Sequence, residues 1–219
     1  MRIWPFRKQD EPADFWGWFE RNRPAIESSV GRLYATANDA AAEIVRDPTM
    51  LQLKVQLHRY DSRLSFLIGP IEKGYDLEIT AEGDEQAFAS VFRLIRAAPQ
   101  LPNWRFTPLR PHQPDAYPQL DGLDFSSSDF RFETKPSDES PGKFDFLMIA
   151  NTEHDVLADE ERFHHLAFLT LQSHLGEHDF TRYVDSITVR DKAWAEKLGG
   201  FETLPLSELQ KKFLPLRPN

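Results

Sequence analysis

Apolar and polar side chains alternate most sharply over residues 75–110, and that stretch organises the chain. Leu77, Ile79 and Ala81 alternate with Asp76, Glu78 and Thr80, the period-two pattern of a strand with one buried face. Gly83 and Asp84 then supply a turn and a helix N-cap, and Glu85 places negative charge at the positive end of the helix dipole. Phe88, Val91, Phe92 and Ile95 recur at i, i+3, i+4 and i+7, with Leu94 and Ala98 widening the stripe. Pro99 stops the helix, because the residue before a proline is driven away from helical dihedrals. Pro102 bounds a short loop before Trp104 and Phe106 resume the alternation. The pattern predicts strand, helix, strand.

The same two periods divide the rest of the chain. Residues 12–46 predict helix in two pieces. Phe15, Trp16, Trp18 and Phe19 cluster around Gly17, Pro24 suits the first turn of the second piece, and Ile26, Val30, Leu33, Ala37, Ala40, Ala41 and Ile44 continue a stripe. The four aromatics read either as an exposed patch for a partner or as the anchor of this helix on a sheet. Asp47 and Pro48 read as the end of the helix. Leu51, Leu53, Val55 and Leu57 alternate with Gln52, Lys54, Gln56 and His58, which predicts a half-buried strand. Residues 60–63 read as a hairpin turn and Leu64, Phe66 and Ile68 as the next strand, so an antiparallel meander of three strands is expected before the helix at 85–98.

Beyond Arg110 periodicity lapses. Residues 111–128 hold Pro111, Pro114, Pro118, Gly122 and a serine run, the composition of a lid, a linker or a plain surface loop. Phe130, Phe132 and Thr134 then alternate with Arg131, Glu133 and Lys135, and residues 144–150 are apolar on both faces after Asp145, as in a central strand. Asp159, Glu160 and Glu161 open a second long helix whose apolar set is Phe163, Leu166, Ala167, Leu171 and Leu175, with Gly176 at its C-terminal cap. Ile187 and Val189 mark a short strand, 191–198 a helix, and Ser207 with Gln210 a capping box opening a last helix.

These elements predict an α+β fold: a single domain, 1–219, with a mostly antiparallel or mixed sheet, an N-terminal helical segment and a helical C-terminal tail. Its order reads as β-β-β-α repeated twice, or as a ferredoxin-like β-α-β-β-α-β core. A division into halves, 1–110 and 129–219, joined by the 111–128 loop, fits as well.

Composition narrows the function classes. With 219 residues, 17 Phe and 5 Trp, the chain can bury a full-sized core. It has no cysteine, which removes disulfides, thiolate nucleophiles and cysteine-held metal clusters and suits a reducing compartment. The first residues lack the apolar run of a signal peptide, and no apolar run is long enough to span a bilayer, so a cytoplasmic location without a membrane partner is expected. The 26 basic and 35 acidic residues leave a net charge of −9, which opposes a phosphate backbone and disfavours nucleic acid. Nothing in the pattern specifies an oligomeric state.

Candidate chemistry is sparse. Five of the seven histidines fall between His154 and His178. His174, Glu177 and His178 satisfy H-x-x-E-H, in which two histidines one helical turn apart bind zinc and the glutamate acts as general base. That chemistry needs one uninterrupted helix, and Gly176 inside the motif predicts a helix end. His174 also falls on the apolar arc of Phe163, Ala167 and Leu171, as a hydrogen-bonded core histidine would. Adjacent His164 and His165 point about 100° apart on a helix and cannot chelate together. G-x-S-x-G, G-x-x-x-x-G-K-[ST] and G-x-G-x-x-G are all missing. The carboxylate pairs Asp124 with Asp129 and Asp145 with Glu133 depend on tertiary placement, and Asp145 stands out at the start of an apolar strand.

Three segments carry a resemblance: FWGWFERN at 15–22, DLEITAEGDEQAF…IRAAPQLPNWRFTPLRP at 76–111, and FLTLQSHLGEHDFTRYVDSI at 168–187. Together they resemble a group of uncharacterised bacterial proteins that share an aromatic N-terminal helix, a strand ending in ITA-G, an AAP-L--W turn into -RP, and a late LGE-D segment. The resemblance implies a soluble bacterial single-domain protein and carries over no catalytic residue. Leu175, Gly176, Glu177 and Asp179 match its shared segment, whereas the flanking histidines belong to this chain. The resulting expectation is a non-catalytic binding, adaptor or immunity-type protein acting on a protein partner, with no cofactor. The alternatives are a zinc-dependent hydrolase using His174, Glu177 and His178, or a small-molecule-binding module with its cleft beneath the 111–128 loop.

Overall fold

Asp47 and Pro48 end one helix and open another: residues 43 and 44 are helical, and the Asp47 amide donates to the Glu43 carbonyl at 3.1 Å. The Asp47 carboxylate accepts hydrogen bonds from the amides of Thr49 (2.9 Å) and Met50 (3.1 Å), and Pro48 occupies a first-turn position where no amide hydrogen is needed. The computed structural model describes residues 10–36, 43–113, 130–151, 159–197 and 202–213. In it Pro48–Tyr60 is α-helical, and the strand expected at 51–57 is absent. Met50, Leu53, Leu57 and Tyr60 are buried at helical spacing, while Leu51 and Val55 are 45% and 50% exposed. The alternation of Leu51, Leu53, Val55 and Leu57 therefore coexisted with a 3.6-residue period, and the cap decided between them. Residues 61–64 consequently join a helix to a strand and form no hairpin.

The chain divides into two compact units, Met1–Arg110 and Pro111–Asn219. In the first, α1 (Pro12–Thr36) and α2 (Pro48–Tyr60) are followed by β1 (Ser65–Ile71), β2 (Gly74–Thr80), a 3-10 turn at Glu85–Ala87, α3 (Phe88–Arg96) and β3 (Trp104–Pro108). Helix α1 runs unbroken through Pro24, so it is one piece where two were expected. Pro24 and Glu20, the residue four back whose carbonyl a proline leaves without an amide donor, are both exposed. Residues 37–42 lie outside the described residues.

The sheet order is β1-β2-β3, with β1 and β2 antiparallel and β2 and β3 parallel. The parallel pair is the strand–helix–strand unit read from 75–110. Asp84 caps its helical entry through the Gln86 amide, 3.0 Å away, and Val91 and Leu94 are buried. Gly74 has φ 117°, and a Cβ there would fall 2.0 Å from the Asn103 carbonyl oxygen, which accepts from the Tyr75 amide. The core lies on one face of the sheet. Trp16 and Phe19 of α1 meet Trp104 and Phe106 edge-on or tilted, with centroids 4.6 to 5.6 Å apart, Phe15 packs edge-on against Trp16, and the Trp16 indole donates to the Leu94 carbonyl. The N-terminal aromatics thus anchor a helix to a sheet, with Trp18 half-buried beside them.

In the second unit β4 (Phe130–Pro136) and β5 (Phe144–Ala150) form an antiparallel hairpin, α4 (Glu160–Tyr183) crosses over, and β6 (Val184–Asp191) returns parallel to β5. Short α5 (Lys192–Lys197), β7 (Leu204–Pro205), a 3-10 turn at Leu206–Glu208 and α6 (Leu209–Phe213) complete it. Ser207 lies inside that turn and does not cap the last helix. The order β6-β5-β4-β7 makes β5 central, in keeping with its apolar run. The apolar set read for α4 is buried against Phe130, Phe132, Phe146, Met148 and Val189, with Phe213 closing the core.

The fold is α+β with two mixed sheets. A ferredoxin-like core would need one sheet, so that reading and the β-β-β-α repeat both give way to β-β-α-β in each unit: hairpin, helix, then a strand parallel to the hairpin's second strand. The central strands correspond as well. Tyr75, Asp76, Leu77 and Ile79 match Phe144, Asp145, Phe146 and Met148 in pattern, Glu78 stands where Leu147 does, and an alanine follows at the same spacing in each, Ala81 and Ala150. No described helix is long and apolar enough to cross a membrane.

Candidate functional site

The H-x-x-E-H residues lie where α4 breaks. Gly176 has φ 74° and ψ 161°, a backbone region essentially reserved for glycine. The carbonyls of Ser173 and His174, just before the break, accept from the Gln113 amide at 2.7 Å and from His112 Nδ1. His174 is buried and its Nδ1 donates to the Thr170 carbonyl at 3.0 Å, whereas His178 is exposed and meets Asp179 Oδ1 at 3.0 Å. Glu177 is fully buried. The three side chains do not project from one continuous helix, and among the described residues no group of three His, Asp or Glu is placed to hold a metal ion. His164 donates to the Ile187 carbonyl at 3.1 Å and His165 is exposed.

Of the loop read at 111–128, only 111–113 falls within the described residues, so the cleft expected beneath it and the pair Asp124 with Asp129 lie outside them. At its start Arg110 pairs with Glu82 at 3.2 Å. The first unit has a cavity of about 520 Å³ between the end of α3 and the start of β3, lined by Ile95, Pro99, Leu101, Trp104 and Phe106 among others. Trp104 also donates through its indole to Glu27, 2.8 Å away.

The other carboxylate pair is brought onto one surface. Side chains alternate across a sheet, so Phe132, Phe146, Met148 and Val189 fill the core while their neighbours face away. On that open face the register sets three rows across β4, β5 and β6. Arg131, Ile149 and Arg190 form the first, Glu133, Leu147 and Thr188 the second, and Lys135, Asp145 and Ser186 the third. The first row is occupied: Ile149 is buried, Arg190 lies over the Trp194 ring at 5.7 Å, and Arg131 donates to Thr203. In the third, Asp145 takes Lys135 at 3.3 Å and the Ser186 hydroxyl at 2.5 Å.

The middle row borders a cavity of about 270 Å³ that also touches Thr134, Lys135, Asp145 and Phe146. Glu133 is half-buried, and its Oε2 is shielded from solvent with no hydrogen-bond partner. The first unit offers a comparison. Its open face carries the row Leu67, Glu78 and Thr107, the same residue types with leucine and glutamate exchanged between strands. There the buried Asp76 accepts from Arg105 at 2.7 Å and from Thr107 at 2.9 Å, and Glu78 has an interaction of its own. Glu133 thus differs from the acidic side chains on the first unit's equivalent face.

Sequence reasoning named Glu133 and Asp145 as a pair but could not place them, and it gave Leu147 and Thr188 no role. The usable signal was the alternation 131, 133, 135 opposite the apolar 144–150 run, which puts Glu133 on the face away from the core. No protein-family model, curated protein or solved structure matches the chain.

Proposed function

We propose that this protein is a non-catalytic binding module, of adaptor or immunity type, that engages a protein partner. The observation that supports this is the middle row on the open face of the second unit's sheet, where half-buried Leu147 borders a surface cavity together with Glu133 and exposed Thr188. A net charge of −9 directs the choice of partner away from nucleic acid.

The test is affinity capture with the full-length chain from cells that express it, alongside Thr188→Arg. Thr188 is exposed and borders the cavity, so the longer side chain obstructs the face without entering the core. A protein recovered stoichiometrically with the wild type and lost with Thr188→Arg is the expected result. A partner retained equally by both, or none with either, overturns the proposal.

A further inference from the structure

We propose that the outer edge of β3 receives an extended segment of a protein partner as an added antiparallel strand. Its apolar side chains enter the cavity between α3 and β3, and an acidic side chain between them meets Arg105. This edge shares no residue with the row bordered by Thr188, so it is a second contact beyond the binding-module reading.

Main-chain groups specify the edge. The Asn103 carbonyl accepts from the Tyr75 amide and the Leu109 amide donates to Ile79, so the odd-numbered residues of β3 turn their amides and carbonyls toward β2. Trp104 and Phe106 therefore turn theirs outward, where the sheet ends. The Trp104 amide is taken by the Leu101 carbonyl at 3.2 Å, which leaves the Phe106 amide and the carbonyls of Trp104 and Phe106 facing out. The other edges are covered. Tyr34 donates to the Ile68 carbonyl of β1 at 3.0 Å, His164 and Arg190 donate to the Ile187 and Val189 carbonyls of β6 at 3.1 and 2.6 Å, and β7 is 2 residues long. Sheets blunt their edges in such ways to avoid pairing with another chain. Among the described residues no side chain does so for β3.

Side chains specify the occupant. Residues directly opposite each other in an antiparallel pair share a face. A residue opposite Phe106 exchanges both main-chain bonds with it and sends its side chain to the face of Trp104 and Phe106, where a cavity of about 520 Å³ opens beside Ile95, Pro99 and Leu101. A second apolar side chain two residues along lies on the same face. The residue between them projects on the opposite face beside Arg105, whose side chain is 61% exposed while paired with Asp76. Opposite charges across strands attract, so this position calls for Asp or Glu. A second copy of β3 is a poorer fit, because Pro108 has no amide hydrogen and the Trp104 amide is already bonded, whereas a proline-free segment offers an amide at every outward position.

The experiment titrates isotope-labelled full-length protein with acetylated and amidated Ser-Leu-Glu-Leu-Ser, following backbone amides by NMR. Saturable shifts centred on Arg105, Phe106 and Thr107 are expected, with slower hydrogen exchange of the Phe106 amide in the complex. Affinity should fall about tenfold or more for the peptide N-methylated at both leucines, which cannot donate to the edge. Gln100→Trp, at an exposed position lining the cavity, should weaken binding while leaving amides away from the cavity unshifted. Absence of saturable shifts, an unprotected Phe106 amide, or equal binding of the N-methylated peptide overturns the proposal. Equal binding by Gln100→Trp overturns the part given to the cavity, and equal binding of Ser-Leu-Lys-Leu-Ser overturns the acidic assignment. Protection of Phe106 that grows with protein concentration alone assigns the edge to a second copy and overturns a partner segment. If a captured partner is lost with Thr188→Arg while the peptide fails to bind, the binding-module reading stands and the β3 edge falls.

Discussion

Asp61 shows how one side chain secures the junction between α2 and β1. The Arg63 guanidinium beside it, donating from Nε at 3.0 Å and from its terminal nitrogen at 2.6 Å, holds the Asp61 carboxyl down at about 2. Burial of the carboxylate works against this, and the Arg63 amide, 3.1 Å away, adds to it. A carboxylate depressed in the folded state contributes stability that is complete above its unfolded pKa near 4 and is lost as pH falls toward 2. Asp61→Asn should therefore lower stability by on the order of 1–2 kcal/mol at neutral pH, the figure being reduced by the solvent around partly exposed Arg63. Urea unfolding at pH 7 and at pH 2.5 checks this: the difference between wild type and variant should shrink markedly at the lower pH. None of this is legible from composition, although Asp-x-Arg is plain in the chain. Its value depends on a buried helix end that only the fold supplies.

At the scale of elements, α2 separates two readings of one pattern. A strand would bury Leu51, Leu53, Val55 and Leu57 alike, whereas the helix buries Leu53 and Leu57 and exposes Leu51 and Val55. Val55→Lys should change stability by no more than about 0.5 kcal/mol, as surface substitutions do. Leu53→Ala should cost about 2–5 kcal/mol, as deletion of a fully buried leucine does. Equal losses at the two positions in chemical denaturation would restore the strand. The strand–helix–strand unit at 75–110 was legible because its periods, its Asp84 cap and its prolines agree. The 48–60 segment was not, because Asp47–Pro48, legible as the end of one helix, also begins the next. The break at Gly176 was legible for a local reason, since glycine is the residue that reaches the backbone geometry found there.

For the whole molecule, each unit has its own core: Phe15 to Leu109 supply one, Phe130 to Phe213 the other. At roughly 110 residues apiece both exceed the size at which a single core becomes insufficient. Fragments 1–110 and 111–219 should each unfold cooperatively on heating, with transitions that reproduce two components in the full chain by calorimetry. Fragments that give no transition would show instead that the cores depend on each other.

The amino-acid sequence by itself determined the local elements with a single period: the 75–110 unit, the apolar central strand at 144–150, the apolar stripe of α4 and its break. Those features depend on dihedral preferences and side-chain spacing within a few residues, which the chain carries wherever it is placed. Strand pairing is different in kind, because it joins segments far apart in sequence. Tertiary structure alone decided that the strands form two sheets, that β-β-α-β occurs in each, and that Glu133, Leu147 and Thr188 stand side by side across β4, β5 and β6. Register is set by packing of the opposite faces against the helices, a non-local balance that no single segment encodes.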